Sequence, residues 1–248
     1  MGLKDLVNNT PIAMAPSIVI YGGPGIGKTT VAMDAPGVIF ISTDMDSTKM
    51  KGGASRLPIA RDADTVFEQV EMLIQEEHEY KTLAIDDLSG LASFFEQDMC
   101  AKHGKNHVGE IKGGFGKGER FTSDTFIIFL NKLDELRAKK NMAVILIGHS
   151  EIKEFKNPEG ESYDRHQIEL HKYYSEIIIK WCDILAFGRK KIMTTTKDEG
   201  TLKQRSIGIS KGERVFAMEE KPAFKAKSRY NHADEVAMTW AALAEGMK

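Results

Sequence analysis

Residues 17–30 read Ser17-Ile18-Val19-Ile20-Tyr21-Gly22-Gly23-Pro24-Gly25-Ile26-Gly27-Lys28-Thr29-Thr30. A short apolar run enters a glycine-rich turn, and a Lys-Thr-Thr opens a helical stretch behind it. The spacing is G-x-x-x-x-G-K-[ST] in strand–loop–helix order, the phosphate-loop arrangement. Gly22, Gly25 and Gly27 let the backbone curl into a nest of N–H donors, and the helix N-terminus adds the positive end of its dipole. Gly23, Pro24, Ile26 and Thr30 complete the loop. Lys28 is expected to reach the β- and γ-phosphates, and the Thr29 hydroxyl to complete a Mg²⁺ shell. The chain is therefore expected to bind a nucleoside triphosphate with Mg²⁺.

Working outward, short apolar runs at 18–21, 38–42, 82–86 and 143–148 lack alternation, as strands of a parallel sheet covered on both faces do. Helical patterns at 29–34, 64–78, 88–102 and 122–140 lie between them. This βαβ alternation predicts an α/β fold with a mostly parallel sheet and helices on both faces. After about residue 183 the pattern changes. Segments 183–187, 190–197, 201–209 and 214–218 read as strands, with turns at Gly188-Arg189, Asp198-Glu199-Gly200 and Lys211-Gly212, an antiparallel extension. Residues 232–246 read as a closing helix. One domain over 1–248 is expected, with its core at about 15–187 and the extension at about 188–248.

The chain has 248 residues, is 42% hydrophobic and carries a net charge of −2. That composition supports a sizeable core but advertises no global affinity for nucleic acid, so any such site must come from local clustering. No apolar stretch is long enough to span a membrane, residues 1–5 lack a signal-peptide run, and two cysteines, Cys100 and Cys182, form no disulfide framework. A cytoplasmic location fits. Two stretches read as long loops. Residues 104–120 hold six glycines together with Lys105, Lys112, Lys117 and Arg120, against Glu110 and Glu119. Residues 150–175 follow directly on a core strand. Long loops inside a compact domain tend to be functional.

The strand Thr82–Asp86 ends in Asp86-Asp87. The first acid is expected beside the phosphate loop, holding Mg²⁺ through water; Asp87 either polarises water or caps the following helix. Asp44, at the end of 38–42, is a candidate for orienting the attacking water, with Asp46 as its rival. His149 ends the strand 144–148 where a polar side chain would sense the γ-phosphate. Cys100, His103 and His107 have ligand-like spacing but no fourth ligand. Asp87-Leu88-Ser89-Gly90 and Asn131-Lys132-Leu133-Asp134 resemble GTPase motifs. Phe126, Phe129, Leu130, Leu133 and Leu136, however, run at helical spacing through the second tetrad, whereas a guanine-reading motif must follow a strand. The nucleotide is therefore expected to be ATP.

The order of phosphate loop, Asp44, Asp86-Asp87, Ile147-Gly148-His149-Ser150, antiparallel tail and Ala226-Lys227-Ser228-Arg229-Tyr230 resembles the RecA-like ATPase core. Pro158-Glu159-Gly160-Glu161, Tyr163-Asp164-Arg165, Leu170-His171-Lys172 and Trp181-Cys182-Asp183 extend the likeness to phage nucleotide-binding proteins of the Sak-type single-strand-annealing group. It covers about residues 15–235. The resemblance implies a ring or filament of identical subunits with ATP between them. Lys227 and Arg229 would then act as cations inserted into a neighbour's site, and the 104–120 and 150–175 segments would lie at single-stranded DNA. It further implies an annealing role in phage recombination, with a single-strand-binding protein as a possible partner. Lys105, Lys112, Lys117 and Arg120 on a glycine-rich segment suit backbone tracking. Asp44 departs from the Glu common in that class. The rival reading is a nucleotide-gated regulatory ATPase that does not touch DNA.

Overall fold

The computed structural model describes residues 14–44, 53–197 and 205–248. Its centre is one mixed sheet with the order β10-β8-β7-β1-β5-β4-β2-β3. Strands β1 (Ser17–Gly22), β2 (Val38–Ser42), β3 (Ser55–Arg56), β4 (Thr82–Asp86) and β5 (Ala143–Phe155) run parallel to their neighbours, as β7 (Ile184–Lys197) does to β1. The fold is the α/β class expected, with antiparallel strands β8 (Arg205–Ala217) and β10 (Glu235–Ala237) at the C-terminal edge.

Alternation explains the two-sided core. Val19 and Tyr21 of β1 face one layer, with Val66, Phe95, Phe129 and Tyr174; Ile18 and Ile20 face the other, with Val31, Phe216 and Leu243. The first layer is built by α2 (Ala63–Gln75), α3 (Leu88–His103), α4 (Lys117–Lys140) and α5 (Lys172–Trp181), the second by α1 (Lys28–Met33) and α6 (Trp240–Gly246). Asp62 caps α2 by accepting from Thr65 N at 2.8 Å, and Asp87 caps α3 by accepting from Gly90 N at 2.9 Å.

Several sequence expectations are corrected. Helix α4 starts at Lys117, not 122, and a 3₁₀ turn occupies Val108–Gly113, so 104–120 is only partly loop. Gly118 is buried there, and a Cβ on it would lie 1.9 Å from Val108 O. Its glycine serves close packing rather than looseness. Residues 150–175 are no long loop: β5 runs on to Phe155 and pairs antiparallel with β6 (Tyr163–Ile168), and α5 follows. The tail has only the short helix α6, preceded by β10. The supposed turns at Gly188-Arg189 and Lys211-Gly212 lie inside β7 and β8, two long strands in place of four. Gly188 is instead a point of close approach, since a Cβ on Gly22 would sit 2.4 Å from Gly188 O. Gly212 takes φ 78° near a register shift between Lys190 and Ile192. The turn at 198–200 and Asp46 lie outside the described residues.

Candidate active site

The phosphate loop leaves the C-terminal end of β1, which lies between β5 and β7, where ligands of open parallel sheets bind. Gly27 takes φ 109° at the N-cap of α1, a conformation open to glycine and costly to other residues. Lys28 is only 6% exposed. Its Nζ donates to Gly22 O at 3.0 Å and Gly23 O at 3.1 Å. Burial pulls its pKa down, while Asp86, Asp87 and Glu169 favour the ammonium. A buried cation wrapped in backbone carbonyls fits terminal phosphates, because it is held in place before any anion arrives.

The Thr29 hydroxyl donates to Asp86 Oδ2 at 2.7 Å. Both residues predicted to hold Mg²⁺ are thus together, and this hydroxyl–carboxylate pair is the donor set a hard divalent cation takes. Burial raises the Asp86 carboxyl above its usual range, and the charges of Asp87 and Asp44 add to the shift. Thr43, next to Asp44, fixes the strand end: its N–H donates to Asp86 O at 2.9 Å, and its hydroxyl accepts from Asp87 N at 2.8 Å.

His149 stands opposite Gly22 in the β1–β5 register. Its Nδ1 is 3.5 Å from Lys28 Nζ, and its Nε2 is 3.3 Å from Asp87 Oδ2. A neutral ring with the proton on Nε2 satisfies both contacts. Asp87 therefore caps α3 and also orients His149. Glu169, which the sequence reading passed over, donates its N–H to His149 O at 2.9 Å, and its charge acts on Lys28. The signal available was only an acid closing a charged stretch.

Other predicted residues lie apart. Lys227 begins the two-residue strand β9 (Lys227–Ser228), which pairs with β7 at Ile184 and Leu185. That is the end of the sheet where β1 begins, opposite the phosphate loop. Arg229 Nη1 donates to Asp183 Oδ1 at 3.0 Å, and Nη2 to Lys180 O at 3.1 Å. Lys227 is half-buried, and burial lowers its pKa. The GTPase-like tetrad lies within α4, as its periodicity requires; Asp134 Oδ1 accepts from Arg137 Nη1 at 2.6 Å and from Trp181 Nε1 at 2.9 Å.

Lys112, Lys117 and Arg120 cluster at the junction of the 3₁₀ turn and α4, with Lys105 just before it. The residue missed there is Phe115, 99% exposed. Residues 112–116 all take positive φ: Lys112 51°, Gly113 85°, Gly114 81°, Phe115 57° and Gly116 72°. Lys112 Nζ lies 4.1 Å above the Phe121 ring.

Phosphate loop, strand-end aspartate, a histidine level with the loop but inside β5 rather than at its end, and sheet order define a P-loop NTPase core. A family model described as an AAA domain matches residues 14–230, and the chain belongs to that family of nucleotide-binding ATPases. A search of curated proteins found no match. Among the described residues, no helix is long and apolar enough to cross a membrane.

Proposed function

We propose that this chain is an ATP-hydrolysing RecA-like protein of the Sak-type phage annealing group, which binds single-stranded DNA and promotes strand pairing in recombination. The hydrogen bond from Thr29 to Asp86 beside buried Lys28 carries the ATPase half of this reading. Lys28 binds the terminal phosphates, and Thr29 and Asp86 hold Mg²⁺, which supplies charge neutralisation at the phosphates when bound. Asp87 is occupied by its cap and by His149. The attacking water is assigned to Asp44, which follows the end of β2 and whose charge reaches Asp86. His149, between Lys28 and Asp87, senses the terminal phosphate.

The DNA half rests on the 105–120 segment. Lys105, Lys112, Lys117 and Arg120 supply sequence-independent backbone contacts, and Phe115 offers an exposed ring on which a base stacks. Subunits assemble as a ring or filament, in which Lys227 and Arg229 serve a neighbour's nucleotide; a single-strand-binding protein is the expected partner. The deciding experiment is a fluorescence-anisotropy titration of a labelled single-stranded oligonucleotide, with and without ATP and Mg²⁺. This reading expects saturable binding that weakens steeply with salt. Absence of binding in every nucleotide state would leave a regulatory ATPase instead.

A further inference from the structure

Besides Lys28 and Thr29 on the loop itself, the residues assigned to the γ-phosphate sensor and to Mg²⁺, His149 and Asp86, stand on one flank of the phosphate loop. His149 belongs to β5 and Asp86 to β4, both on the same side of β1. On the other flank, β7 and β8 continue as a two-stranded arm beyond Gly188, which is level with Gly22 in the β1–β7 register. Arg214 lies on this arm. Its Nη1 donates to Ile26 O at 3.0 Å and would lie 2.6 Å from a Cβ on Gly27. Its own carbonyl accepts from Met238 N at 3.1 Å, so the backbone behind the side chain is anchored to the adjacent β10 segment.

Directly across the ladder from Arg214 stands Lys190. Like charges opposite one another in an antiparallel pair repel. Nearby Arg189 is neutralised by Glu235, yet among the described residues neither Lys190 nor Arg214 is paired with a carboxylate. The guanidinium has five N–H donors and spends one on a loop carbonyl. Two neighbouring cations beside a phosphate loop, one of them touching it, form an anion site that the protein's own carboxylates leave open.

With the terminal phosphates directed to the β5 side, the nucleoside end of the ligand leaves toward β7. We propose that Arg214, with Lys190 beside it, binds the α-phosphate of the nucleotide held by the same subunit. The inference rests on the nucleotide-binding reading of this loop. It differs from an arginine finger in two respects: the cation acts on its own subunit's ligand, and the contact is the same for di- and triphosphate. Arg214 thus sets nucleotide affinity and couples occupancy of the loop to the β7–β8 arm.

Titration calorimetry with Mg²⁺-ATP and Mg²⁺-ADP on the parent, Arg214→Ala, Arg214→Lys and Lys190→Ala proteins tests this. Arg214→Ala should weaken ATP and ADP alike by about tenfold, the loss expected of one charge-assisted bond. Lys190→Ala should weaken both by about threefold, as a neighbouring charge that does not touch the loop, and Arg214→Lys should recover part of the loss. Unchanged affinity in Arg214→Ala would overturn the proposal, as would a loss confined to ATP, which would move the contact to the γ-phosphate. A loss in Arg214→Ala with none in Lys190→Ala would make Arg214 a brace for Ile26 and not a ligand. If Arg214→Ala fails to fold, Lys190→Ala alone decides. A parent that binds neither nucleotide would refute the underlying reading, not this assignment within it.

Discussion

The Thr29 hydroxyl lies 2.7 Å from the Asp86 carboxylate, joining the first turn of α1 to the end of β4 across the intervening strand β5. Asp86→Ala should keep measurable nucleotide binding and lose Mg²⁺-dependent turnover by at least about 100-fold, since metal coordination contributes several kcal/mol at the transition state. Lys28→Ala should abolish binding or hydrolysis, because it removes the cation at the terminal phosphates. Parent-like ATPase rates in both variants would remove this site from the account.

At the other end of β1, Asp183 Oδ2 accepts from Ser17 N at 2.9 Å and from Arg137 Nη2 at 2.6 Å. Burial alone would raise its carboxyl. The Ser17 N–H and hydroxyl, then Arg137 and Arg229, outweigh that and hold it below the usual carboxylate range. A carboxyl depressed on folding contributes stability above its unfolded pKa, here near 3.8, and loses it as pH falls through the lower folded value. Asp183→Asn should therefore destabilise the fold by about 3 kcal/mol at pH 7, as breaking a buried pair does. The gap to the parent should narrow as pH falls below 3.8 and through the lower folded pKa. Urea unfolding at several pH values checks both; a gap independent of pH would contradict the assignment.

What the sequence disclosed was local. The phosphate loop, the acid closing β4 and the helical phase through Asn131–Asp134 each depend on residues a few positions apart. Arg214 was hidden because its meaning lies in a contact with Ile26, 188 residues away. Glycines misled in both directions: Gly118 and Gly188 read as loop and turn, yet one packs inside a helix start and the other within a strand. The β5–β6 ribbon was missed because much of it is exposed and charged, without the apolar run that marks a buried strand.

Replacing Lys112, Lys117 and Arg120 together with Ala should lower single-stranded DNA affinity regardless of sequence and flatten the salt dependence, by about two in the log–log slope if all three contact phosphates. Phe115→Ala should cost about tenfold with the slope unchanged, because stacking releases no counterions. Filter binding at several salt concentrations separates the two effects. Parent-like binding by the triple variant would move the DNA site elsewhere.

Arg229 is tied to Asp183 of its own chain, so reaching a neighbour's γ-phosphate requires it to leave that carboxylate. If it does, Arg229→Ala subunits keep an intact phosphate loop but fail to activate the next subunit, a loss on the order of 10³-fold. Mixing them with Lys28→Ala subunits should restore part of the activity, at interfaces that pair an intact loop with an intact Arg229. Mixtures that co-assemble and stay inactive would contradict action in trans, as would a fully active Arg229→Ala.

The most direct test of the whole account is steady-state ATP hydrolysis measured with and without a single-stranded oligonucleotide, in the parent and in Lys28→Ala. The account predicts hydrolysis that rises several-fold with DNA at low salt, loses that stimulation as salt rises and is absent in Lys28→Ala. Parent hydrolysis that is the same at every DNA concentration, or no hydrolysis at all, would contradict it.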